Sequence, residues 1–168
     1  MRALSAFVLI GLAFIGCSKS APEPGKVVKI GDVCNEVDAS RVRLAGYLRY
    51  RRGLMSFCSN FGGHETCDLE LYESGERTQD YDIMRPRTGP EPVTAKLSVP
   101  VGSRAGEMDA LPKKFKESDI KLHLESGANA TEGSRITIDG KLSVIPGDPK
   151  TPSAPKSCFV TVEWVLAG

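Results

Sequence analysis

Val42-Arg43-Leu44-Ala45-Gly46-Tyr47-Leu48-Arg49-Tyr50 and Ile136-Thr137-Ile138-Asp139-Gly140-Lys141-Leu142-Ser143-Val144 decide the fold. Both stretches alternate large apolar residues with other residues, the period-two signature of a strand with one face in a core. Each carries a glycine at the centre of its apolar row. A glycine in mid-strand weakens the strand, so it usually marks a bend, a bulge or a close backbone approach. Two long strands, each hinged at an inward glycine, predict a strongly curved sheet that closes on itself.

Three further stretches alternate in the same way. Cys67 to Tyr72 puts Leu69 and Leu71 inward and Asp68 and Glu70 outward. Val93 to Val101 aligns Val93, Ala95, Leu97, Val99 and Val101. Cys158 to Leu166 aligns Val160, Val162, Trp164 and Leu166. With Arg41 to Arg51 and Arg135 to Ile145, these make five strands and an all-β class. The pattern resembles the OB-fold, a five-stranded Greek-key barrel with a long coiled first strand. In flavour it is similar to the OB-like domains of bacterial envelope lipoproteins and to the tRNA-anticodon-like OB group. The resemblance covers residues 30–168 and implies a minor helix or an extra hairpin between the third and fourth strands. Gly106 to Leu111 is a candidate turn or two of helix stopped at Pro112, and Asp119 to Leu124 a candidate extra strand.

The start of the chain reads as an address. Arg2 precedes an apolar run, Ala3 to Ile15, too short to span a bilayer comfortably. Phe14-Ile15-Gly16-Cys17 resembles the lipobox of bacterial lipoproteins, with Phe14 departing from its usual aliphatic residue. The resemblance implies a signal peptide over residues 1–16, lipidation at Cys17, and a tether over residues 17–29 containing Pro22, Pro24 and Gly25. Ser18 after the cysteine, rather than Asp, implies the periplasmic face of the outer membrane. Without Arg2 the 22 basic residues become equal in number to the 21 acidic ones. A formally neutral chain argues against affinity built on phosphate neutralisation. Forty per cent hydrophobic and 26% charged residues exclude a disordered chain.

Cys34, Cys58, Cys67 and Cys158 remain, an even number in an exported chain, with three possible pairings. Cys58 and Cys67 bracket Ser59-Asn60-Phe61-Gly62-Gly63, as a bridged loop would, which leaves Cys34 with Cys158. The rival is a soft-metal site, copper or zinc, at Met55, Cys58, His64 and Cys67. Its spacing lacks the paired cysteines of structural zinc sites. His123 alternates with Leu122 and Leu124 and reads as an outward strand residue.

In an OB-fold, ligands commonly sit on the outer face of the second and third strands. Carried onto this sequence, the resemblance implies a binding rim at Phe57, Asn60, Phe61, His64, Asp68, Glu70 and Tyr72, between loops 52–66 and 146–157. Phe57 and Phe61 either stack on a ligand or pack beneath the bridged loop. Arg41, Arg43, Arg49, Arg51 and Arg52 give the chain a basic strand, which Asp68 and Glu70 on the neighbouring strand are placed to neutralise. Lys113, Lys114 and Lys116 read as a solvated loop. Two histidines and scattered carboxylates nominate no catalytic residue, and no Gly-rich phosphate loop leads a strand into a helix. The expectation is a non-enzymatic, cofactor-free binding or adaptor module for an envelope protein or glycan. The alternatives are a soft-metal-binding protein and a single-strand nucleic-acid-binding domain.

Overall fold

The computed structural model describes residues 21–50, 58–61, 64–75, 93–147 and 156–168. Nine strands run through them: β1 (Lys26–Val27), β2 (Arg41–Arg49), β3 (Cys58–Phe61), β4 (His64–Tyr72), β5 (Thr94–Pro100), β6 (Leu122–His123), β7 (Asn129–Ala130), β8 (Arg135–Ile145) and β9 (Ser157–Ala167). The helical content is two short 3-10 turns, Ile30–Asn35 and Glu117–Asp119. The five long strands are the five expected from alternation, and the class is mostly β as expected.

These five form a ring. β2 pairs antiparallel with β8 over Arg41–Tyr47, and its last residues, Tyr47–Arg49, pair with β4. β4 pairs antiparallel with β5, β5 runs parallel to β9, and β9 returns antiparallel to β8. β2 therefore belongs to two parts of one mixed sheet, as a strand hinged at its middle must. Gly46 and Gly140 are where the backbones meet. A Cβ on Gly46 would lie 2.5 Å from the Tyr72 carbonyl oxygen and 2.8 Å from Ile30 Cδ1. One on Gly140 would strike the Thr161 carbonyl oxygen and lie 2.6 Å from Val160 Cγ1. Inside the ring Val42, Leu44, Leu48, Leu69, Leu71, Leu97, Ile136, Ile138, Leu142 and Val160 are fully buried. Burying each such side chain is worth about 1.5–3 kcal/mol.

Both ends are plugged. β2, β5 and β9 start, and β4 and β8 finish, at one end. There the turn Ile30–Asn35 packs on β2, β5 and β9, sinks Ile30 and Val33 into the core, and is bonded from Cys34 to Cys158 on β9. The opposite end is closed by the connector from β5 to β8, which buries Met108, Ile120, Leu122 and Ala130.

Several expectations are corrected. Gly106 to Leu111 is not helical: Gly106 sits at φ +88°, and Met108 bridges Val101 and Leu122 in extended backbone. A Cβ on Gly106 would press within 2.8 Å of the Glu163 main chain, so the segment lies flat on β9. The extra elements of this connector are the 3-10 turn Glu117–Asp119 and the β6–β7 hairpin, the latter an alternative the sequence offered. On β9, Asp139 faces Trp164 while Gly140 faces Val162, so Glu163 is a bulged residue without a partner in the ladder. The bulge flips the phase: Val165 is buried, and Trp164 and Leu166 leave the inner row. The stretch expected as tether contributes β1, which pairs in parallel with β2 at Val42 and Arg43. The Gly25 amide donates to Asp139 Oδ1 at 2.8 Å, and Asp139 also accepts from Arg43 Nε at 3.0 Å.

Replacing Gly46 with alanine forces apart backbone of β2 and β4 and should cost about 2–3 kcal/mol in urea unfolding. Ala45→Val, on the exposed face of the same strand, should change stability by less than about 0.5 kcal/mol.

Candidate functional site

β3 and β4 form a hairpin whose register runs from Phe61 opposite His64 to Cys58 opposite Cys67. The two cysteines are directly cross-strand, with Cα atoms 4.0 Å apart, and are joined by a disulfide. β4 is paired with β5 from Thr66 to Tyr72, and on its other edge it meets β3 first and β2 last. The bridge pins the part of the hairpin that β2 does not hold. Both expected cysteine pairings are present, the second being Cys34–Cys158 across a separation of 124 residues.

Alternation from buried Cys67, Leu69 and Leu71 turns Asp68, Glu70 and Tyr72 to the outer face of β4. Across the ladder stand Ser98, Lys96 and Thr94 of β5, and beyond them Thr161 and Phe159 of β9. Asp68 and Lys96 are exposed. Glu70 and Tyr72 are not, at 7% and 5% exposure, and the Tyr72 hydroxyl donates to Glu70 Oε2 at 2.7 Å. Outward-facing residues on a half-buried strand read as solvent-exposed; here the Glu70–Tyr72 pair is a buried polar floor beside an exposed Asp68. Partial desolvation pushes the Asp68 carboxyl above its ordinary value of 3.8, while the positive charge of Lys96 pulls it down.

Of the other expected rim residues, Asn60 is exposed on β3. Phe61 and His64 occupy paired strand positions, but their side chains lie outside the description, as does Phe57 altogether. β2 ends and β8 ends at opposite ends of the ring, and most of the two loops expected to flank the rim, 51–57 and 148–155, lies outside the described residues. The soft-metal set needs two thiolates, and Cys58 and Cys67 are committed to a bridge; Met55 is outside the described residues. No cluster of His, Cys, Asp and Glu able to hold a metal occurs among the described residues.

The basic strand is charge-paired, though not with Asp68 and Glu70 as expected. Arg43 meets Asp139, directly across on β8; Arg41 Nη2 lies 2.8 Å from Glu163 Oε2 on the β9 bulge; Arg49 lies 3.5 Å from Glu132 and donates to the Gly75 carbonyl at 2.8 Å. Hydrogen bonding to Asp139 raises the Arg43 guanidinium above its ordinary value, against the desolvation that lowers it. Arg51 and Arg52 lie outside the described residues, and Lys113, Lys114 and Lys116 are exposed. His123 lies on β6, where its Nδ1 is 2.9 Å from Asn129 Oδ1 and its Nε2 is 3.0 Å from Asp109 Oδ1. These contacts tie the β6–β7 hairpin together and to Asp109 of the connector.

No protein-family model and no curated protein matches this chain. No helix among the described residues is long and apolar enough to cross a membrane.

Because the Asp68 carboxyl is raised, the folded state holds its proton more tightly than the unfolded chain does, and ionisation costs stability. Asp68→Asn should therefore be slightly more stable than the parent at pH 7, by less than about 0.5 kcal/mol. The gain should fade as pH falls through the raised value and be gone below the ordinary 3.8; thermal unfolding at a series of pH values reads it.

Proposed function

We propose that this chain is an exported lipoprotein whose OB-type barrel binds a protein or glycan of the bacterial envelope across the outer face of β4 and β5. The observation that carries this reading is the makeup of that face: a hairpin fixed by Cys58–Cys67, an exposed Asp68 and Lys96 of opposite charge, and a buried Glu70–Tyr72 floor. Carboxylates, a lysine and the hydroxyls of Thr94, Ser98 and Thr161 offer donors and acceptors at fixed spacing, the equipment for holding a polar partner without chemistry. The OB assignment is supported by five strands in a ring, antiparallel except between the third and fifth, with the first shared by two neighbours.

The envelope address is supported by the lipobox-like Phe14-Ile15-Gly16-Cys17 and by two bridged cysteine pairs, which oxidising compartments favour. A nucleic-acid role is disfavoured by neutral charge and by the acidic partners of Arg41, Arg43 and Arg49. A soft-metal role is disfavoured by the bridging of Cys58 and Cys67.

Photo-crosslinking groups placed at Asn60, Asp68 and Lys96 in intact cells should capture one common partner or a peptidoglycan fragment. The same group at Arg135, exposed on β8, should capture neither. Equal capture from all four positions, or from none, overturns the assigned face. Labelled palmitate should enter the parent chain and not Cys17→Ser; labelling of neither overturns the lipoprotein reading.

A further inference from the structure

The end of the ring closed by Ile30–Asn35 carries the exposed large hydrophobics of the described residues. Among the described residues, the large hydrophobics most open to solvent are Val27 (78%), Val37 (75%), Ile145 (52%) and Val93 (43%). They belong to four separate segments, yet contacts gather those segments around the same turn. Lys26 Nζ meets Glu36 at 2.7 Å, joining the neighbours of Val27 and Val37. The Val144 amide donates to Asp38 Oδ1 at 2.8 Å, joining the neighbours of Val37 and Ile145. A Cβ on Gly31 of the turn would touch Val93 Cγ1 at 3.2 Å. Exposed apolar residues scattered singly need no explanation; four around one end do.

The N-terminal chain leaves from this same end. β1 runs parallel to β2, which starts here, and the Gly25 amide is fixed to Asp139. Eight residues then lead back to Cys17, at most about 28 Å of extended chain. If Cys17 carries acyl chains, the apolar end is held within that distance of the lipid surface, while the connector end points away. The charges around it are mixed: Lys26 is paired with Glu36, and the same stretch of chain carries Lys29, Asp32 and Asp38. Apolar insertion, rather than attraction to anionic headgroups, would hold the contact.

We infer that the end bearing Val27, Val37, Val93 and Ile145 rests on the bilayer that anchors Cys17, which rests in turn on the lipoprotein reading above. The occupant of the patch is the lipid headgroup and upper acyl region. The connector end, with the β6–β7 hairpin, is then directed into the aqueous space.

The test uses the full lipidated chain in phosphatidylethanolamine/phosphatidylglycerol vesicles made with brominated acyl chains. Val27→Trp and Val37→Trp report on the apolar end and Ser126→Trp, in the exposed turn after β6, on the other, with the Trp164 signal of the parent subtracted. The Val37→Trp indole should lose about half its emission and shift to the blue, as a side chain at headgroup–acyl depth does. Val27→Trp should follow it, Ser126→Trp should be unaffected, and high salt should change nothing. A chain that floats with the vesicles but shows no quenching at Val27→Trp and Val37→Trp overturns the docking and leaves the anchor standing. A blue shift without quenching that grows with protein concentration means a second copy covers the patch, and also overturns it. A chain with unmodified Cys17 that does not float overturns the lipoprotein reading and the docking with it.

Discussion

Everything in this structure depends on one strand serving two neighbours. β2 gives its edge to β8 and its last residues to β4, and it does so at Gly46, where β4's main chain and Ile30 leave no room for a side chain. Without that close approach, β2–β8–β9–β5–β4 would be an open sheet, with the last residues of β2 and of β4 left as unpaired edges, a hazard that closure removes. The apolar rows of all five strands would then face water instead of one another. Gly140 does the matching work on β8, against the Thr161 carbonyl and beside the Glu163 bulge. The same bulge carries the carboxylate that meets Arg41 and leaves the flat main chain on which Gly106 lies. The plugs at the two ends, one bonded through Cys34–Cys158, complete the enclosure.

The strands were legible because alternation records which face is buried, and that record survives without knowledge of the partner. Both cysteine pairings were legible for a similar reason, since a short polar stretch between Cys58 and Cys67 leaves only one remaining pair. Where two phases are equally apolar, alternation fails. Glu163-Trp164-Val165-Leu166 offers hydrophobic residues in both phases, so nothing in the string reveals that a bulge puts Val165 inside. β1 is two exposed residues long, and Met108 forms isolated bridges, so neither leaves a periodic trace.

The site was legible in part. The outward positions Asp68, Glu70 and Tyr72 follow directly from inward Leu69 and Leu71. The burial of Glu70 and Tyr72 does not, because burial on an outer face depends on long-range packing rather than on the strand's own pattern. The partners of the arginines were hidden for the same reason: Arg43 meets Asp139 by virtue of the β2–β8 register, and Asp139 in turn ties down Gly25. A strand that reads as basic is thus a set of cross-strand and loop-mediated pairs.

Closure itself is open to one direct measurement, the inter-strand nuclear Overhauser effects of the labelled chain. The account predicts contacts between Leu48 and Leu71 and between Leu97 and Val160 in the same sample, since both pairings are needed to complete the ring. Strong contacts between β2 and β8 with none between Leu48 and Leu71 would describe an open sheet and contradict it.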